Sequence, residues 1–276
     1  MEEGRGGNYS RDNSGRNGNR NQIGSGGKIH AFSSSCLSMW ALLARSSFYK
    51  ILSAAALMAT AEVFLFLVKR RDVYAVYGMS ALHVGEIFYG NKIKLLFLSA
   101  LFLVIMILLW TEDRLESQSY GTIMRLRITR QQFFGLKTIY NVFCLLMVFV
   151  VQIALVFWML WQCKTDVGLA GTAPQVYFFA FYSNRFLHCL LPMAEFGKWV
   201  RNTLILTAWG MQAAGVKGKG RYVLTSSLVI VTIYWFDSEM GVNMLDIAGC
   251  IISVLVIGKE ILCVCWRDMG IVQNRD

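Results

Sequence analysis

The stretch Ile139-Tyr-Asn-Val-Phe-Cys-Leu-Leu-Met-Val-Phe-Val-Val-Gln-Ile-Ala-Leu-Val-Phe-Trp-Met-Leu-Trp161 decides the class of fold. Its side chains are almost all apolar, without alternation between polar and apolar positions. Crossing a bilayer takes roughly 20 such residues, because the hydrocarbon core is about 30 Å thick and a helix rises about 1.5 Å per residue. The stretch is therefore predicted to be a transmembrane helix.

The composition extends this interpretation to the whole chain. Of its 276 residues, 55% are hydrophobic and 16% are charged, whereas soluble domains carry about 25% charged residues. Backbone groups in lipid must be hydrogen-bonded within the protein, which restricts the fold to helices or a closed barrel. Continuous apolar runs exclude the alternating pattern of a barrel. The sequence predicts an all-α integral membrane protein.

Six apolar runs predict about six transmembrane helices. They cover residues Ile51–Val68, Ile93–Trp110, Ile139–Trp161, Val200–Val216, Tyr222–Phe236 and Met244–Trp266. The segment Pro174–Phe196 is ambiguous, because its many aromatic residues are interrupted by polar ones and by a second proline. Such a mixture favours an interfacial or re-entrant segment. If it were a span, every later span would be reversed.

The distribution of basic residues predicts a multi-pass protein of the cell membrane with both termini in the cytoplasm. Lys and Arg accumulate in short cytoplasmic loops. With six spans, the basic loop Lys217–Arg221 lies inside, and the loop Asp237–Asp246, which has no Lys or Arg, lies outside. The basic run Lys69–Arg71 falls outside, against this rule.

The flanking segments predict the remaining organisation. Residues 1–30 are rich in Gly, Asn, Ser and Arg, which predicts a disordered cytoplasmic tail. Residues 31–50 form either an interfacial lead-in helix or the start of the first span. The six-span membrane domain covers residues 51–266, and residues 267–276 form a cytoplasmic C-terminal tail.

Between the second and third spans lies a short basic segment, Ser119–Lys137. Within it, Thr129-Arg-Gln-Gln132 fits a capping box, in which a Thr caps the helix and a Gln three residues later reaches back. A new helix is therefore predicted to start near Thr129, and Tyr120–Arg127 would form a separate short helix at the cytoplasmic face.

A family resemblance rests on this segment. The six-span layout and Leu126-Arg127-Ile128-Thr129-Arg130, with Phe133 and Lys137 following, resemble permease subunits of ABC exporters of the second type (an ABC-2-like membrane domain). Those permeases carry a short coupling helix between spans two and three, often ending in a Leu-Pro-Ile-Ser/Thr-Arg-like sequence. Arg127 stands where the proline is common.

The resemblance implies a docking site for a separate P-loop ATPase subunit. The residues expected to contact it are Tyr120, Ile123, Met124, Arg125, Arg127, Thr129 and Arg130. The alternative is that these residues lie on the membrane surface, with their basic side chains on lipid phosphates.

Glu62 is the candidate polar residue within the membrane. An acid at the middle of a span costs roughly 2.5 to 3.5 kcal/mol on insertion scales, so it invites a role in substrate contact or in a proton step. The alternative is a position near the outer end of the span, neutralised by Lys69 or by protonation.

The sequence predicts no catalytic, cofactor or metal site. A P-loop needs G-x-x-x-x-G-K-S/T, and neither Gly24–Lys28 nor Gly215–Gly220 fits it. ATP is therefore expected on a partner subunit, and no enzyme motif is present. The 7 cysteines lack paired C-x-x-C spacing. The net charge of +10 lies largely beside apolar spans, without a nucleic-acid-binding signature.

The resemblance implies a permease subunit of an ATP-driven ABC exporter for an unknown substrate. It would work with the separate ATPase, as a homodimer or as a heterodimer with a related permease. The alternative is a non-transporting membrane interaction, immunity or assembly protein.

Overall fold

The computed structural model describes residues 25–77, 84–88, 92–118, 129–166, 173–192, 195–215, 221–237, 241 and 243–273, and nearly all of them are helical. Four long helices are α1 (Ser25–Tyr77), α3 (Lys92–Gln118), α4 (Arg130–Asp166) and α9 (Met244–Gln273). The shorter helices are α2 (Val84–Phe88), α5 (Ala173–Ser183), α6 (Arg185–Leu190), α7 (Phe196–Ala214) and α8 (Arg221–Tyr234), and a 3-10 turn follows at Trp235–Asp237. The all-α prediction is confirmed for this part of the chain.

Helices α4 and α7 form the middle of the bundle. Helix α4 packs against α1 on one side and against α7 on the other, while α7 also packs against α9. Helix α3 lies against α1, and α8 lies against α7 and α9. This order explains the burial of α7, of which most side chains are inaccessible.

The bundle has two distinct ends. At the first, called here the Tyr140 end, Ser47 Oγ of α1 lies 2.8 Å from Tyr140 Oη of α4. At the second, called the Asp246 end, Arg201 of α7 pairs with Asp246 of α9. Helices α1, α4 and α8 run from the Tyr140 end to the Asp246 end, and α3, α7 and α9 run back.

Four helices are long and apolar enough to cross a membrane. The qualifying segments are Ser47–Tyr77, Lys92–Thr111, Gln131–Asp166 and Met244–Trp266. They correspond to the first, second, third and sixth predicted spans. Helix α8 contributes only the shorter apolar segment Val223–Tyr234. Helix α7 carries Lys198, Arg201 and Gln212, which the protein interior accommodates.

The ambiguous aromatic segment forms two short helices at the Asp246 end. Helix α5 has 11 residues and α6 has 6, so neither reaches the roughly 20 residues that a span requires. Asn184 separates them, and its side-chain oxygen accepts hydrogen bonds from the backbone N–H groups of Phe186 at 3.0 Å and Leu187 at 3.2 Å. Phe186 then packs on the ring of Phe97 in α3.

Helix α1 is continuous across two predicted segments. It begins at Ser25, within the predicted tail, and passes without a break through the predicted lead-in into the first span, for 53 residues in all. Residues 1–24 lie outside the described residues. The part before the span packs on α4, where the rings of Trp40 and Tyr140 meet edge to face at 5.9 Å.

Candidate functional site

The start of α4 is defined by the predicted capping box. The backbone N–H of Gln132 donates to Thr129 Oγ1 at 3.3 Å, and that of Thr129 donates to Gln132 Oε1 at 3.2 Å. Two N–H groups that the first helical turn would leave unpaired are thereby satisfied. The box is confirmed, and it fixes where α4 begins within the basic segment.

Two of the seven candidate docking residues belong to the described part of the chain, and both lie at this cap. Thr129 and Arg130 form the boundary of α4 at the Tyr140 end, and Thr129 is exposed. The other five, Tyr120, Ile123, Met124, Arg125 and Arg127, lie outside the described residues. Helix α3 ends at Gln118, so the basic segment connects two helices at the Tyr140 end of the bundle.

The first turns of α4 rest on α1. Phe133 and Leu136 are partly buried against the hydrophobic core, and Lys137 is buried. Met39 and Leu43 of α1 are buried in the same cluster. The cap at Thr129 therefore lies directly before a turn of α4 that packs on the hydrophobic core.

The Tyr140 end also carries a buried acidic side chain. Glu260 of α9 is buried, and its Oε1 accepts a 2.6 Å ion-pair hydrogen bond from Lys259 Nζ. Its carboxylate contacts the backbone at Gly215, where a Cβ would overlap it. The end of α7 at Gly215 is thus held close to α9.

Glu62 lies in the interior, between α1 and α4. The residue is fully buried, and its Oε2 accepts a 2.9 Å hydrogen bond from Gln152 Nε2, which is fully buried as well. Two buried oxygens of this pair, Glu62 Oε1 and Gln152 Oε1, have no hydrogen-bond partner among the described residues. The sequence offered Lys69 as the neutralising neighbour, whereas the side-chain hydrogen bond of Glu62 comes from α4.

At the Asp246 end, a network of buried polar side chains connects three helices and the 3-10 turn. Arg201 of α7 pairs with Asp246 of α9, and its Nε and Nη2 donate to Asn202 Oδ1 at 3.2 and 3.0 Å. That oxygen also accepts from Trp235 Nε1 at 2.6 Å, while Asn202 Nδ2 donates to the backbone oxygen of Cys189 at 3.0 Å. The network fixes the start of α7 against α6, α9 and the 3-10 turn.

Glu195, just before α7, makes further polar contacts at the Asp246 end. Its carboxylate pairs with Lys198 Nζ at 2.8 Å and accepts from the Gly241 backbone N–H at 2.8 Å. Partial burial alone would raise the pKa of Glu195, but these contacts, together with His188, lower it to about 2. The carboxylate therefore stays charged and holds the loop before α9 to α7.

Next to the Arg201 network is an apolar cavity of about 130 Å³ between α7, α8 and α9. Its walls include Ile205, Ile230, Leu245 and Ile252, with Arg201 at one side. The Arg201 guanidinium is already occupied by Asp246 and Asn202, so the cavity offers a binding site only to apolar groups.

Sequence reasoning missed the partners of these buried charges. Gln152 is a single polar residue within an apolar run, and that interruption was the available signal. Arg201 and Asp246 stand at the edges of two predicted spans, 45 positions apart, and Asp246 was assigned to an outside loop. The structure places it in the first turn of α9, buried.

No family model, curated protein or solved structure matches this chain.

Proposed function

We propose that this protein is the membrane-spanning permease subunit of an ATP-driven ABC exporter that lacks its own ATPase. The observation that supports this most directly is the hydrogen-bonded cap at Thr129–Gln132. It places the start of a rigid helix of 37 residues at Arg130, within the basic segment. A helix built in this way can carry a displacement at one end of the bundle into its interior.

The proposal includes six membrane spans, formed by α1, α3, α4, α7, α8 and α9, and the alternating directions of these helices support it. In this proposal, α7 crosses the membrane inside a sheath of other helices, so its polar side chains face protein rather than lipid. The exposed faces of α1, α3, α4 and α9 carry large apolar side chains such as Leu57, Met106, Val150 and Leu255, which suits contact with acyl chains.

The ATPase subunit would dock on the segment that contains Ile123, Met124, Arg125 and Arg127. A short segment docks through few apolar contacts. An Asp introduced among them would bury an unpaired carboxylate in the interface, which is costly in free energy. Two permease subunits, or one with a related partner, would line the path of the substrate. Both the ATPase contact and the dimer are parts of the proposal.

The test compares substitutions along this segment. Ile123→Asp and Met124→Asp are expected to abolish co-purification of a P-loop ATPase and ATP-dependent transport while the protein stays inserted. Arg125→Ala and Arg127→Ala are the matched controls and should weaken docking less, because rim charges contribute about 1 kcal/mol or less. Normal complex formation and transport by both Asp variants would overturn the docking site. A chain that copurifies with no ATPase would favour the membrane interaction protein instead.

A further inference from the structure

The buried pair Glu62–Gln152 carries an inference that does not depend on the proposed transport function. Glu62 lies at the middle of the apolar segment Ser47–Tyr77. Among the residues that the structure describes, its hydrogen-bond donor is Gln152 Nε2, which donates to Glu62 Oε2, and both residues have 0% exposure. Water therefore has no access to either side chain in this arrangement.

The hydrogen-bonding groups of this pair do not match if Glu62 is a carboxylate. An ionised carboxyl group only accepts hydrogen bonds, and the amide oxygen of Gln152 also only accepts. Glu62 Oε1 and Gln152 Oε1 are both buried, and no donor reaches them from the part of the chain that the structure describes. Leaving two acceptors and a negative charge unsatisfied in an apolar interior is strongly unfavourable.

One proton removes both mismatches. A protonated carboxyl group gains one O–H donor, which is able to satisfy the amide oxygen of Gln152 while the Gln152 N–H continues to donate to the other carboxyl oxygen. The two side chains then form a closed ring with two hydrogen bonds and no net charge. The geometry points to Glu62–Gln152 as a proton-binding site that joins α1 to α4 within the membrane.

The charged groups on the packed helices stand apart from the pair along the chain. On α1, Lys69 and Arg70 are about two turns beyond Glu62, Arg71 and Asp72 lie within three turns of it, and Lys50 is more than three turns before it; Arg70 pairs with Asp166 at 2.7 Å. On α4, Lys164 is about three turns from Gln152, and Lys137 and Asp166 are each about four turns from it. Lys92 and Lys94 lie in the first turn of α3, and Glu86 lies in α2. The uncharged titratable groups on α1 and α4 include Tyr49, Tyr74, Tyr77, Tyr140, Cys144 and Cys163.

Binding of this proton is linked to the packing of α1 on α4. Release of the proton to bulk water would leave a carboxylate facing the amide oxygen, so the charged form requires that the two helices separate or that water enters between them. The bound proton therefore stabilises the arrangement in which α1 and α4 are in contact.

Infrared difference spectroscopy of the full chain in phosphatidylcholine nanodiscs at pH 7 tests the site. Wild-type protein should show the C=O stretch of a protonated carboxylic acid, and Glu62→Gln should lose it. Glu62→Gln retains one donor and one acceptor toward Gln152, so its fold should be preserved. Glu260→Gln is the matched control: it removes a buried carboxyl group that is paired with Lys259, and it should leave the acid band in place.

A second variant separates the proton site from a buried acid with no specific partner. Gln152→Leu removes the acceptor, so the acid band should persist but move to higher wavenumber as its hydrogen bond is lost. An acid band that is absent from the wild type, or that survives in Glu62→Gln, would overturn the protonation of Glu62. An unshifted band in Gln152→Leu would overturn the role of Gln152.

Discussion

At the scale of single residues, the buried charges explain how a polar helix occupies the centre of an apolar bundle. Helix α7 brings Lys198, Arg201 and Gln212 into the interior. Lys198 pairs with Glu195, Arg201 pairs with Asp246, and Gln212 Nε2 donates to Thr225 Oγ1 at 2.9 Å. A buried charge is tolerated only when it is paired, so these partners are a condition for the position of α7.

Removing one partner of the Arg201–Asp246 pair should destabilise the protein more than removing both. Asp246→Leu leaves an uncompensated guanidinium in the interior, which typically costs about 3–5 kcal/mol. Arg201→Met combined with Asp246→Leu replaces the pair by apolar side chains and should recover most of that loss. Thermal unfolding in one detergent measures both, with the exposed Glu86→Gln as control. Equal midpoint temperatures of thermal unfolding for Asp246→Leu and the wild type would show that the pair is not formed.

At the scale of secondary structure, close approach of α4 and α7 depends on a glycine. A Cβ placed on Gly210 would overlap the side chain of Val142 and lie 3.2 Å from its backbone nitrogen. The same contact brings Asn141 Nδ2 within 3.2 Å of the Gly210 backbone oxygen. Small residues at such crossings allow two helix backbones to approach and hydrogen-bond.

Gly210→Ala is therefore expected to destabilise the bundle despite the higher helix propensity of alanine. Overpacking a tight contact costs about 1–3 kcal/mol, against a propensity gain of about 1 kcal/mol. Gly197→Ala and Gly258→Ala are matched controls, since a Cβ at either position meets nothing within 4 Å. The midpoint temperature of thermal unfolding of both control proteins should equal or exceed that of the wild type. A Gly210→Ala protein as stable as the controls would contradict the close packing of α4 on α7.

The sequence predicted the long helices and the start of α4, because both depend on local patterns. Apolar runs near 20 residues require a helix in lipid, and the capping box involves residues three positions apart. The Glu62–Gln152 contact escaped prediction, because its partners are 90 positions apart and no local pattern identifies them. The burial of Arg201 escaped for the same reason. The start of α1 at Ser25 was also not predicted, because a polar, Gly-rich composition before Lys28 is typical of disordered chain.

At the scale of the whole molecule, the alternating helix directions bring the N-terminal part of α1 and the C-terminal part of α9 to the Tyr140 end. The basic run Lys69–Arg71 then lies at the opposite end, where the positive-inside rule disfavours it. Arg70 is paired with Asp166 at 2.7 Å and lies about 6 Å from the centres of the Phe66 and Tyr74 rings. Part of the basic charge at this end is therefore neutralised within the protein. The run Lys69–Arg71 is then weaker evidence against a cytoplasmic Tyr140 end.

Labelling of single cysteines in a cysteine-free background decides the orientation. Cysteines at positions 125 and 219 should be protected from a membrane-impermeant reagent, because both belong to basic segments connected at the Tyr140 end. Cysteines at 183 and 238 should react from outside, since α5 ends at Ser183 and the 3-10 turn ends just before 238, both at the Asp246 end. Permeabilised cells provide the control, in which all four positions should react. External labelling at 219 together with protection at 125 would place these two loops on opposite faces. That result would mean that residues 174–196 cross the membrane, in conflict with the two short helices α5 and α6.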